Sequence, residues 1–189
     1  YLEEQFTRLP SIRAVVPTLV DTVHFPHQAM PELNRLSVFF SGTYSRFYDL
    51  GLSARFVDAL SRHIPVRTTW CRAPAAEESL LEAVSPDTVM DLTYEALPAA
   101  LAESHVGIAI CKMSAPGSLS AAVPTKIGEF LSVGRPIVVA QGTGDLDELI
   151  SRSRVGVTLR DSSDDEISRA AQQTMDLLQD PETPGRCRA

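Results

Sequence analysis

The chain has 189 residues, 44% hydrophobic and 22% charged, with a formal net charge of −7. This is the composition of one ordinary globular domain, large enough to bury a substantial core. Its acidity argues against nucleic acid as the main partner, and no apolar run approaches the roughly 20 residues that span a bilayer.

The first stretch, 1–34, carries short apolar runs broken by turn residues and reads as an entry segment or linker. The main domain is expected over 35–180, followed by a Pro, Gly and Arg-rich tail over 181–189. A start at Tyr1 and the absence of a signal peptide suggest part of a longer, cytoplasmic protein.

Within the main domain a strand is predicted over 36–40, ending at the Ser41-Gly42-Thr43 turn. Helical spacing of Leu50, Leu52, Phe56, Ala59 and Leu60 follows. The unit recurs: strand 65–70, helix 76–84, strand 88–90, helix 94–103, strand 106–110. A helix at 124–133, strand 137–140, helix 146–151, strand 155–159 and helix 164–178 complete it. Strands of continuous Val, Ile and Ala alternating with amphipathic helices predict an α/β fold. It is a Rossmann-like, doubly wound parallel sheet of about six strands, covered on both faces. Ligands of such a sheet bind outside the carboxyl ends of its strands. The acidic run 161–166 reads as a loop and helix N-cap rather than a metal site.

The most informative stretch is 123–140. Pro124 suits a helix start and Gly134-Arg135-Pro136 a stop. Between them Ile127, Phe130 and Leu131 form a core face, while Lys126 and Glu129 share an adjoining face near the start. Free backbone N–H groups at a helix N-terminus add positive polarity beside Lys126, a combination suited to a phosphate. Of 17 basic residues only Lys112 and Lys126 are lysines, and both flank the same loop. An ammonium is a compact charge for phosphate, so lysine in an arginine-biased chain hints at a local requirement.

On spacing alone, the bland alternative for Lys126 and Glu129 is a solvated ion pair on an exposed helix face. Gly128 suggests close packing of the helix on the sheet. Cys71, Cys111 and Cys187 stand far apart without metal-ligand spacing and read as inert buried thiols, consistent with a reducing compartment. His24, His27, His63 and His105 are scattered, and Tyr94 and Trp70 suit packing as well as stacking. No metal site is expected. Gly142-Thr143-Gly144 lacks the full dinucleotide spacing, so no dinucleotide cofactor is expected either.

The run Pro124-Thr-Lys-Ile-Gly-Glu-Phe-Leu-Ser-Val-Gly-Arg-Pro-Ile-Val-Val139 resembles the P-x-K-x-x-E-[YF]-x-x-x-G-x-P-V-[VI] signature of family 4 GT-B glycosyltransferases. Val16-Pro-Thr-Leu-Val-Asp21 followed by Phe25 is similar to that family's passage into its C-terminal, donor-binding domain. Val38 to Thr43 resembles its first strand and Gly turn, 94–108 the helix and strand ahead of the donor loop, and Val155-Gly-Val157 its last strand. In this order the resemblance covers nearly the whole chain. It implies the C-terminal half of a GT-B architecture, which binds a nucleotide-diphosphate sugar without a metal. The partner would be a missing N-terminal acceptor domain, through which alone membrane association would arise.

The resemblance also implies residue roles. Glu129 would bind the ribose hydroxyls, and Lys126 the diphosphate together with the Pro124-Thr125-Lys126 helix start. Gly42 and Thr43 would approach the phosphates, with Arg46 as a second basic group. Met90 to Leu92 would face the base. Lys126 and Arg46 would be the catalytic pair, stabilising the departing diphosphate. One departure stands out: the first acid of the family's E-x7-E pair falls on Ala121. Two other functions are compatible with the sequence. One is a nucleotide-sugar 2-epimerase of the same architecture, whose G-G-x-Q-E-E fits 124–129 less well. The other is a non-catalytic nucleotide-binding or assembly module.

Overall fold

A computed structural model describes residues 19–41, 47–72, 85–114, 119–120 and 124–188. Its strands are β1 (Leu36–Ser41), β2 (Val66–Arg72), β3 (Thr88–Asp91), β4 (Val106–Ala109), β5 (Ile137–Ala140) and β6 (Gly156–Leu159). Its helices are α1 (Leu50–Ser61), α2 (Leu97–Ala102), α3 (Thr125–Ser132), α4 (Leu146–Ser153), α5 (Asp164–Gln179) and α6 (Thr183–Arg188). The predicted helix over 76–84 lies outside the described residues.

The six strands form one parallel sheet in the order β3-β2-β1-β4-β5-β6. β1, β4 and β5 are buried at every position, which is why their sequences run apolar without alternation. From β1 the chain first winds one way to β2 and β3, then returns and winds the other way through β4, β5 and β6. Right-handed crossovers in opposite directions put α1 on one face and α3 and α4 on the other. The strand order reverses between β1 and β4, the position outside whose carboxyl edge open α/β sheets bind ligands. A short antiparallel bridge, Tyr48 to Cys111, extends the sheet at that edge.

Two glycines set how closely helices approach. At Gly107 of β4 a Cβ would overlap the Phe130 ring, so this glycine lets α3 lie flat on the sheet. Gly128, expected to serve that purpose, faces Val20 of the entry segment instead. α3 ends in a Schellman motif: Gly134 at φ +85° donates its N–H to the Leu131 carbonyl, and the Arg135 N–H reaches the Phe130 carbonyl.

The structure corrects three boundaries. α2 begins at Leu97, not Tyr94, because Pro98 would clash with the Tyr94 carbonyl in a longer helix. Pro124 is the N-cap of α3, with φ −60° and ψ 126°, rather than its first helical residue. Residues 183–188, expected as tail, form α6. Thr183 and Cys187 are buried, and Arg186 ties the helix start to Asp180 at 2.9 Å. Tertiary contacts there override a poor helix-forming composition.

The entry segment also packs onto the domain from residue 19. Phe25 is 1% exposed and its carbonyl accepts from Ser132 Oγ of α3. The fully buried Arg135 guanidinium donates to the carbonyls of Gln28, Ala29, Val133 and Ala102, joining that segment to the ends of α3 and α2. A buried guanidinium is tolerable because its fork finds this many acceptors. No helix among the described residues is long and apolar enough to cross a membrane.

Candidate functional site

α3 follows β4 in the chain, so its N-terminus stands at the carboxyl edge of the sheet, next to the reversal between β1 and β4. Pro124 supplies no side-chain cap, so the N–H groups of the first turn gain no partner from it. Into this position α3 brings Lys126, which is 8% exposed. Its Nζ lies 4.3 Å from the centroid of the Tyr48 ring, on the segment that bridges to Cys111. A solvated surface lysine would not be buried to this degree, so the exposed-face reading fails for Lys126.

Burial pushes the Lys126 ammonium down to about 8, against the pull of Cys111, Glu129 and Cys71. Glu129, one turn along and half-buried, is shifted the other way. Burial raises its carboxyl, while Lys126 and then His24 partly hold it down. Burial likewise raises Cys111 to about 11, Tyr48 to about 12, and the Cys71 thiol, which also accepts from the Leu92 N–H. The thiols are therefore neutral neighbours, not thiolates, and the Lys126 amine and the Glu129 carboxyl both lie in poorly solvated surroundings.

Of the sequence-predicted residues, the structure brings together Pro124, Thr125, Lys126 and Glu129 at the helix start. Leu92 joins them through its N–H to Cys71. Met90, 36% exposed, sits opposite Cys71 in the β2–β3 register. Gly42, Thr43 and Arg46 lie outside the described residues, as does Ala121. Sequence reasoning missed Tyr48, whose ring is placed by a bridge between segments far apart in the chain. It also set aside His24 and Tyr94. Their rings stack at 4.1 Å with 12° between planes, and His24 Nε2 bonds the Tyr94 carbonyl at 3.0 Å. Among the described residues no cluster of His, Cys, Asp and Glu has the arrangement of a metal site.

A groove of about 610 Å³ lies elsewhere, along the edge strand β6 between α4 and α5. Its arginines are already engaged. Arg160 and Arg169 grip Glu166, and Arg154 faces Asp180 at 3.8 Å. Glu166 also accepts from the Arg160 N–H, and Arg169 donates to the Thr158 carbonyl. These bonds cap the exposed edge of β6, so the groove is part of the sheet's edge protection.

No protein-family model and no curated protein matches the sequence. Solved structures do match. Sucrose-phosphate synthase from Thermosynechococcus elongatus superposes with a TM-score of 0.62 at 14% identity, covering 91% of this chain and 46% of that one. The chain has the fold of one half of a GT-B protein. WaaG, a glycosyltransferase involved in lipopolysaccharide biosynthesis, gives 0.53 at 13% identity over 83% of this chain and 42% of its own. The glycotransferase of kitacinnamycin gives 0.52 at 17% identity, over 90% and 42%. The chain therefore spans less than half the length of these structures, and at such identities the likeness is one of fold.

Proposed function

We propose that this chain is the donor-binding half of a glycosyltransferase of the family 4 type, holding the diphosphate and ribose of a nucleotide-sugar at the start of α3. The observation that carries the reading is the buried Lys126 ammonium at an N-terminus without a side-chain cap, beside the reversal point of the sheet. A cation that burial disfavours gains most from an incoming anion, because Coulomb attraction strengthens as water leaves. A diphosphate seated on Lys126 and the first-turn N–H groups would find fixed charge and dipoles in place.

The chemistry follows from that placement. As the glycosidic bond of the donor breaks, negative charge grows on the diphosphate, and Lys126 and the helix start stabilise it more than they stabilise the bound donor. No metal is needed for this role. Glu129, three residues on, accepts hydroxyl hydrogen bonds from the ribose, and Met90 to Leu92 line the base. The acceptor comes from another domain, whose closure excludes water. Ala121, where the resembled family carries its first acid, favours a second reading in which the domain binds nucleotide without turnover.

Calorimetric titration of the chain with UDP, GDP, ADP and TDP tests the site, with Lys126→Ala and Glu129→Ala as controls. The expected result is selective binding of one diphosphate, weakened by both substitutions. Binding of none by a folded sample would remove the support for this assignment. Transfer assays on a protein containing the acceptor domain then separate the transferase from the binding module.

A further inference from the structure

The segment that packs along α3 carries a group that neither the sequence pattern nor the proposed roles use. Asp21 Oδ1 accepts from the N–H groups of Val23 and His24, and the Phe25 N–H closes on the Asp21 carbonyl. This turn fixes the backbone of His24. Phe25, buried next to it, is bonded through its carbonyl to Ser132, which lies on the same face of α3 as Glu129, three residues further along. Val20 rests against Gly128. The segment from 20 to 25 thus runs along α3 at the level of Glu129.

The His24 ring is then locked from two further sides. It stacks on Tyr94 and meets Phe25 edge-on at 4.9 Å. Its Nε2 bonds the Tyr94 carbonyl, and a carbonyl only accepts, so Nε2 carries the proton and donates it. In the neutral ring Nδ1 is left as an acceptor. A rigid imidazole acceptor thus stands next to the loop after β3, on the segment that runs along α3 at the level of Glu129, and with that carboxylate it offers two acceptors for the two donors of a vicinal diol.

We propose that His24 is a second hydroxyl-binding residue of this site, accepting from one ribose hydroxyl through Nδ1 while Glu129 accepts from the other. The proposal rests on the nucleotide reading above. It makes the entry segment a contributor to ligand selection, and it makes Tyr94 a positioning residue that sets the tautomer and tilt of the ring.

The test is calorimetry of the 189-residue chain with ADP, 2′-deoxy-ADP and 3′-deoxy-ADP, and with the matching uridine set. Inorganic pyrophosphate serves as a probe of the phosphate site alone. His24→Ala should weaken the ribonucleotide and one deoxy analogue about five- to tenfold, the scale of one hydroxyl hydrogen bond, and leave the other analogue unchanged. Glu129→Gln should show the reverse selectivity, and pyrophosphate should be unaffected by His24→Ala. His24→Asn, which keeps an acceptor oxygen, should restore part of the loss, and thermal melts confirm folding of each variant. An equal loss with all three nucleotides would assign His24 to packing, and no loss with any would remove it from the site. Either result overturns the proposal while leaving the Lys126 site standing. Absence of nucleotide and pyrophosphate binding by the unsubstituted chain would overturn both.

Discussion

A lysine buried in the folded chain should cost the protein stability, and Lys126→Met measures that cost. In the folded chain the ammonium has been brought from its ordinary 10.5 down to about 8, chiefly by burial. That difference of roughly 2.5 pH units, at about 1.4 kcal/mol each, makes the charged form about 3 to 4 kcal/mol less favourable folded than unfolded. The Tyr48 ring under Nζ returns about 1 kcal/mol of this. Methionine is unbranched, of similar reach, and makes its own sulfur–aromatic contact, so Lys126→Met should stabilise the chain by about 2 kcal/mol at neutral pH. For a chain of this length that corresponds to a Tm higher by about 4 to 8 °C. The sign with pH is fixed by the direction of the shift. The unfolded chain binds the lysine proton more tightly, so the cost is complete below about pH 8, and stability rises as pH climbs from there toward 10.5. Urea denaturation of both proteins at equal m-value is the assay, at about pH 7 and again near the unfolded value, where the gap should close. A variant less stable than the parent at neutral pH would refute the reasoning, because it would make Lys126 a structural ion-pair partner.

Three further outcomes follow from the same geometry. Binding of a nucleoside diphosphate between about pH 8 and 9 should take up a proton, since the anion restores the Lys126 ammonium. Titrations in buffers of different ionisation enthalpy would read it, and zero uptake would place the anion elsewhere. Gly107→Ala should destabilise the fold by about 1 to 3 kcal/mol in chemical denaturation, because its methyl overlaps the Phe130 ring. Glu166→Gln should lower stability by about 2 kcal/mol at neutral pH, the Arg160 side of the network being solvated and screened. Hydrogen bonds from Arg169, then Arg160, hold the Glu166 carboxyl at about 2 against an ordinary 4.5, so its contribution is present above 4.5 and fades as pH falls toward 2. The difference between parent and variant should therefore vanish in acid, and a constant difference would assign the effect to packing.

How much of this was legible in the sequence depends on the range of the interaction. The strands could be read because a parallel sheet buried on both faces demands unbroken runs such as 106–110 and 137–140. Lys126 and Glu129 could be placed on one helical face because three residues of helix fix their relation. That Lys126 is buried could not be read, because its cover comes from Tyr48, 78 residues away, across a bridge with no periodic signature. His24 and Tyr94 meet across 70 residues for the same reason. Gly128 and Gly107 make the point most clearly. Sequence can say that a glycine admits a close neighbour, and only the fold says which one. Here Gly107 admits α3 to the sheet and Gly128 admits the entry segment to α3. The second contact bears on the proposed site, since it carries the entry segment along the helix that bears Glu129. A side chain at Gly128 would press on Val20 and, through the turn at Asp21, shift His24 relative to Glu129. Gly128→Ala should therefore alter discrimination between ribo- and deoxynucleotides more than it alters pyrophosphate binding. The same comparison of ligands would read it, and a uniform loss would instead mean that α3 itself had moved.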